Sequence, residues 1–310
     1  MRTIPIHRVA AVALVVALVA AAAGCGGGSS SSGAEIVVTT NILGDVVREL
    51  VGDQAKVEVV MPPNADPHDF SASARQAADM RDAKVLVVNG FGFESGLQDT
   101  IDAAHGDGVP LIEVAKLAPD LRTIAPEDGK GDPVTDPHVF TDPSRMAVAV
   151  AGLAIQLERR VPALDTRAFE ARAAAYEARL RKLDADVEQL LAPIPQARRI
   201  LVTNHDALGY FAERYHLQVL GAVIPSLSTL AQPSASDLSD LAGAIARTGV
   251  PAIFADTSSP TRLADALAGE GHGVKVVRLF VESLGAPGSG AATYEEMVRT
   301  NAERIAVALG

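Results

Sequence analysis

The chain has 310 residues and a net charge of −11, with 27 lysines and arginines against 38 aspartates and glutamates, no tryptophan and one cysteine. This acidity argues against nucleic acid or anionic lipid headgroups as a partner, and aromatic residues at 4% leave few rings on which a ligand could stack. A single cysteine excludes an internal disulfide.

Residues 1–24 read as an export signal. Arg2 and Arg8 supply the basic start, and Val9 to Ala23 form an apolar run shorter than the roughly 20 residues a membrane span needs. The run ends Ala22-Ala23-Gly24-Cys25: small residues at 23 and 24 suit a lipoprotein signal peptidase, while Ala22 departs from the branched aliphatic usual three residues before the cysteine. Cys25 is therefore expected to carry a lipid, anchoring the chain to the outer face of the cytoplasmic membrane, in a periplasm or at the cell surface. An ordinary signal peptide with Cys25 incidental is the alternative. Cleavage removes Arg2 and Arg8 and takes the net charge from −11 to −13. Gly26 to Gly33 holds no apolar side chain, so residues 25–33 make a lipidated cysteine and a flexible tether.

Residues 34–160 alternate short apolar runs with helical patterns. Strands are expected at 36–40, 57–61, 85–88 and 110–114, and helices at 42–51, 73–82 (Ser73 as N-cap), 97–104 and 144–160. Residues 118–137, with Pro119, Pro126, Gly129, Gly131 and Pro133, read as a loop. Residues 161–193 form a linking helix: Thr166 to Leu191 is rich in Ala, Glu and Arg, with Leu180, Leu183, Val187 and Leu190–Leu191 on one stripe. Such a helix spans about 39 Å, enough to act as a rigid connector. Residues 194–310 repeat the scheme, with strands at 199–203, 218–220, 252–255 and 274–281 and helices at 207–215, 235–248, 260–267 and 294–309. The fold class is α/β: two (β/α) lobes with parallel sheets joined by one long rigid helix.

Four short motifs each deliver one metal-ligand side chain: Asp66-Pro67-His68, Asp136-Pro137-His138, Asn204-His205-Asp206 and Phe280-Val281-Glu282-Ser283. Three imidazoles and a carboxylate complete a tetrahedral shell around a borderline-soft divalent ion. Ligands so far apart must converge through the fold, between the lobes, and His205 and Glu282 fall at strand ends, where α/β folds bind ligands. Asp66 and Asp136, each two residues before a histidine, are expected to orient the imidazoles as acceptors. Taken singly, His68 is a solvated loop residue, His205 is incidental to a helix cap and Glu282 is a surface carboxylate; their order and placement together favour a site. His105, His216 and His272 receive no role. The chain has no His-Glu-x-x-His helix, and four protein donors leave no open position for a hydrolytic water, so no enzyme is expected.

The chain resembles the solute-binding proteins of zinc- and manganese-specific ABC importers over nearly all of residues 36–310. The matching stretches are Ala65-Asp66-Pro67-His68, Val88-Asn89-Gly90-Phe91-Gly92-Phe93-Glu94, Asp136-Pro137-His138-Val139-Phe140-Thr141-Asp142-Pro143, Thr203-Asn204-His205-Asp206-Ala207-Leu208-Gly209-Tyr210-Phe211, Pro233-Ser234 and Glu282-Ser283-Leu284-Gly285 with Tyr294, Met297 and Asn301. The resemblance implies a metal held between the lobes by His68 and His138 from the first and His205 and Glu282 from the second, with limited lobe movement. His205 stands where zinc members have His and manganese members often Glu; Glu282 stands where Asp is usual, and Phe140 where Trp is common. Residues 118–137 lack the histidine-rich loop of many zinc members and carry Glu127, Asp128, Asp132 and Asp136 instead. The implied function is a monomeric extracytoplasmic Zn²⁺ receptor that delivers metal to an ABC permease, with Mn²⁺ as the alternative ion and a surface adhesin as the alternative role.

Overall fold

The computed structural model describes residues 35–125, 132–270 and 273–310. The signal, Cys25 and the tether lie outside the described residues, as do Glu127, Asp128 and His272. No helix among the described residues is long and apolar enough to cross a membrane.

The first half builds a parallel sheet of order β2-β1-β3-β4 from β1 (Ile36–Val38), β2 (Val57–Val59), β3 (Val85–Val88) and β4 (Leu111–Glu113). β1 and β3 are buried at every residue. Helices cover both faces, which is why these runs are continuously apolar rather than alternating. The crossovers are α1 (Asn41–Val51), α2 (Ala74–Arg81) and α3 (Gln98–Gly106). Thr40 caps α1 by accepting from Leu43 N, and Ser73 and Gln76 close a reciprocal capping box on α2. The second half repeats the plan: β7 (Ile200–His205), β8 (Gln218–Ile224), β9 (Ala252–Asp256) and β10 (Lys275–Leu279) form a parallel sheet of order β10-β9-β7-β8. Its helices are α6 (Gly209–Arg214), α7 (Ala235–Thr248), α8 (Arg262–Glu270) and α9 (Tyr294–Leu309).

Between the halves run α4 (Pro143–Arg160) and the 25-residue α5 (Arg167–Leu191). Thr166 caps α5 by accepting from Phe169 N. The buried stripe of α5 is Phe169, Tyr176, Leu180, Leu183, Val187 and Leu191, at the three-to-four spacing of one helix face. That stripe packs on α1, α4 and α9, so α5 is the middle of the core and not a bare strut. One continuous apolar cluster holds Val38 of β1, Val47 of α1, Val150 of α4, Leu183 of α5, Phe254 of β9 and Tyr294 of α9. Two smaller clusters cover the outer faces of the sheets, around Val37 and Leu86 on one side and Val202 and Ile253 on the other.

The segment 118–137 departs from a plain loop. β5 (Thr123–Ile124) and β6 (Val134–Thr135) pair antiparallel within it; two residues per strand are too few to show a period of two. β8 is also longer than the expected run Gln218-Val219-Leu220, because Gly221 interrupts the apolar pattern while the strand runs on past a register shift at Leu201/Val202.

Candidate metal centre

The four candidate ligands arrive from four separate strand exits. The chain leaving β2 turns through residues 62–67 to His68. His138 follows β6 and opens the 3₁₀ turn Val139–Thr141, whose Thr141 hydroxyl and N–H both donate to its carbonyl. His205 is the last residue of β7, and Glu282 lies just beyond the end of β10. All four are buried, at 2%, 0%, 1% and 1% exposure, and one ligand atom from each lies within 4.8 Å of every other.

Glu282 is the hub. Its Oε1 is 2.9 Å from both His138 Nε2 and His205 Nε2, and its Oε2 is 3.0 Å from His68 Nε2. Only the His205 contact has hydrogen-bond alignment; His68 Nε2, His138 Nε2 and Glu282 Oε2 are buried without an aligned partner. The three nitrogens and the carboxylate therefore aim at a common point, as donors to one ion do. Around a tetrahedral ion with bonds of about 2.0–2.1 Å the donors stand about 3.3 Å apart, so each Glu282–imidazole contact opens by a few tenths of an ångström to admit one. Phe93 and Phe140 wall the site, with ring centroids 5.4 Å (Phe93–His68), 5.6 Å (Phe93–His138) and 6.0 Å (Phe140–His138) apart.

Burial alone would strip the charge from the His138 ring, yet Asp136 at Nδ1 and Glu282 at Nε2 outweigh it and hold the imidazole up at about 10. Burial likewise opposes the Glu282 charge, but the surrounding imidazoles keep its carboxyl well below the usual carboxylate range. The metal-free centre is thus an ion-paired cluster at neutral pH.

The two aspartates expected to orient the imidazoles do different things. Asp136 Oδ1 is 2.8 Å from His138 Nδ1 and also accepts from His138 N at 3.0 Å. Asp66 does not reach the His68 ring: Oδ1 accepts from His68 N at 2.9 Å, and Oδ2 accepts from Thr229 Oγ1 at 2.7 Å. Its two oxygens are taken by the Asx-type turn of its own loop and by the opposite lobe, so Asp66 fixes the loop and not the imidazole.

Sequence reasoning left several supporting residues without a role. Residues 89–95 grip the loops of both first-lobe candidate ligands: Asn89 Nδ2 donates to Pro137 O at 2.9 Å and Ser95 Oγ to His68 O at 3.1 Å. The segment is itself held by buried Glu94, which accepts from Thr39 Oγ1, Asn89 N and Gly90 N although burial pushes its carboxyl up. Phe91 at φ 54 between Gly90 at φ 92 and Gly92 at φ 74 keeps this turn left-handed. Asn41, at the start of α1, crosses to the second lobe: Nδ2 donates to Pro62 O and Ser283 Oγ, and Oδ1 accepts from Leu284 N at 2.7 Å. The Asn89–Glu94 run was visible as part of the resemblance; Asn41 and Thr229 carry no motif, since only the fold brings them to the site.

The sequence pattern described as "Zinc-uptake complex component A periplasmic" (ZnuA) matches residues 36–308. The chain belongs to the ZnuA family. Its members are the metal-binding receptors of metal ABC importers, and this ZnuA-family chain has their two-lobed α/β fold. It is 31% identical to the zinc-binding protein TroA of Treponema pallidum over 279 residues, 88% of each chain. It is 28% identical to the manganese-binding lipoprotein MntA of Bacillus subtilis, over 88% of this chain and 89% of that one. The solved structure of the Treponema pallidum periplasmic zinc-binding protein TroA superposes with a TM-score of 0.81 at 30% identity, covering 89% of this chain and 98% of its own.

Proposed function

We propose that this ZnuA-family receptor carries Zn²⁺ between its lobes on His68, His138, His205 and Glu282 and hands it to an ABC permease. The convergence of three imidazole Nε2 atoms on one buried carboxylate, four protein ligands in all among the described residues, supports this reading. Imidazole-rich, four-donor shells suit zinc, whereas manganese favours more oxygen. Such a closed shell also favours a carrier over an enzyme, because a hydrolytic zinc site keeps one position open for water. Mn²⁺ is the second reading: Glu282 offers two oxygens, and several relatives are named as manganese-binding. Export with a lipid on Cys25, residues 25–33 as tether, lobes at 34–160 and 194–310 about the 161–193 connector, and a monomeric receptor outside the cytoplasmic membrane complete the proposal.

The test is metal competition on purified residues 34–310, stripped with chelator and offered equimolar Zn²⁺ and Mn²⁺, with bound metal counted by elemental analysis. One zinc per chain, not displaced by excess manganese, is the expected result. Preferential manganese overturns the zinc assignment, and no stoichiometric metal overturns the receptor site.

A further inference from the structure

Arg122 lies in the segment between β4 and α4, well away from every candidate ligand in sequence, yet it touches both lobes behind the centre. Its Nη1 donates to Gly209 O at 3.1 Å and to Glu213 Oε2 at 3.1 Å, both on α6, whose first turn follows the His205 loop. Its Nε lies 3.6 Å from Asp136 Oδ2, an ion-pair approach beyond hydrogen-bond distance, and both atoms are buried without a hydrogen-bond partner. The backbone tightens the same unit: Asp136 N donates to Arg122 O at 2.9 Å, Tyr210 OH donates to Asp136 O at 2.9 Å, and Arg122 N donates to Tyr210 OH at 2.9 Å. The Tyr210 ring is flanked by two guanidinium groups, Arg122 at 5.7 Å and Arg145 at 4.9 Å from its centroid, and Arg145 Nη2 reaches the other oxygen of Glu213 at 2.9 Å.

Room for Arg122 depends on one glycine. A Cβ placed on Gly209 would stand 2.8 Å from both Cζ and Nε of Arg122, too close for both to stay, so a side chain there pushes the guanidinium aside. Gly209 opens the six-residue α6, and the Arg122 guanidinium packs where a Cβ on it would stand.

We propose that Arg122 is a positioning residue for the metal: it locks Asp136, and through it the His138 imidazole, onto the α6 end of the His205 loop, with Gly209 as its slot. Arg122 so fixes the spacing between a first-lobe and a second-lobe ligand. This inference rests on the receptor reading above.

The experiment compares wild type, Arg122→Gln, Gly209→Ala and the double variant, using Zn²⁺ titrated against a chelating dye and the visible spectrum of the Co²⁺-loaded chain. Loss of a group that orients a metal-binding imidazole costs about 10- to 100-fold in metal affinity, and Arg122 acts one contact further out. Each single variant is therefore expected to bind about tenfold more weakly, and the double variant no more weakly than either alone, since both changes remove one contact. The Co²⁺ bands are expected to shift in each, which general destabilisation does not produce. Because alanine favours the helix, Gly209→Ala tests the contact with the fold intact. Wild-type affinity in Gly209→Ala, a multiplied loss in the double variant, or unshifted Co²⁺ bands would each overturn the proposal. A wild-type chain that takes up no metal overturns the receptor reading instead.

Discussion

At the scale of single residues, the centre depends on how each imidazole is held. Asp136 touches the His138 ring, while Asp66 touches only the backbone of His68. Asp136→Asn is therefore expected to weaken zinc binding by about 10- to 100-fold, and Asp66→Asn by clearly less; equal losses in dye competition would refute the distinction. Proton competition follows from the same geometry. His138, raised to about 10 in the metal-free chain, must lose a proton for Nε2 to bind an ion. Apparent zinc affinity should then keep climbing as pH rises from 6.5 towards 10, and calorimetry in buffers of different ionisation enthalpy should register proton release at pH 8. The metal-free chain responds in the opposite sense. The stability it draws from protonated His138 is complete below the ordinary value of 6.5 and fades as pH rises through about 10, whereas that from Glu282, held low, fades as pH falls below the carboxylate range. The zinc-induced rise in melting temperature should accordingly grow between pH 6.5 and 10. A flat profile across that interval refutes the ion-paired cluster.

Among the elements, α5 shows most clearly what sequence pattern carries. The stripe Leu180, Leu183, Val187 and Leu191 was legible because helix period and burial coincide there, and the parallel strands were legible as continuous apolar runs between helical ones. The hairpin β5–β6 was not, being two residues deep, nor was the full length of β8 past Gly221. The four convergent side chains were legible because each sits in its own short motif. Arg122, Asn41 and Thr229 were not, because their partners are far away in sequence, and nothing local marks such a contact. The packing of α5 gives a direct check. Leu180 is fully buried in the central cluster, so Leu180→Ala should cost about 2–5 kcal/mol in urea unfolding with little change in the zinc affinity of the folded chain. A loss under 1 kcal/mol would place α5 at the periphery. Its exposed pairs, Arg179 with Glu49 and Glu295 and Arg299 with Asp186, should contribute far less, as solvent-screened pairs do.

Across the whole molecule, the lobes meet through polar contacts, around the centre and also where Tyr294 N donates to Asp45 Oδ2 at 2.8 Å, and through the central apolar cluster that α5 runs through. Asn41 joins α1 to the residues after Glu282, and Asn64 N donates to Leu284 O at 3.0 Å. Asn41→Ala leaves the buried Leu284 N–H without its acceptor, a cost of about 1–3 kcal/mol. It should lower both the melting temperature of the metal-free chain and its zinc affinity; a change in neither would show the contact to be dispensable. The shared cluster also bears on how this receptor could be turned into a sensor. With Val38, Leu183 and Tyr294 packed in one body, a fluorescent donor and acceptor fixed at the far ends of the two sheets would keep nearly the same separation whether or not an ion is present. An environment-sensitive dye beside Thr229, whose hydroxyl is one of the second lobe's holds on the His68 loop, would sit where the signal is made.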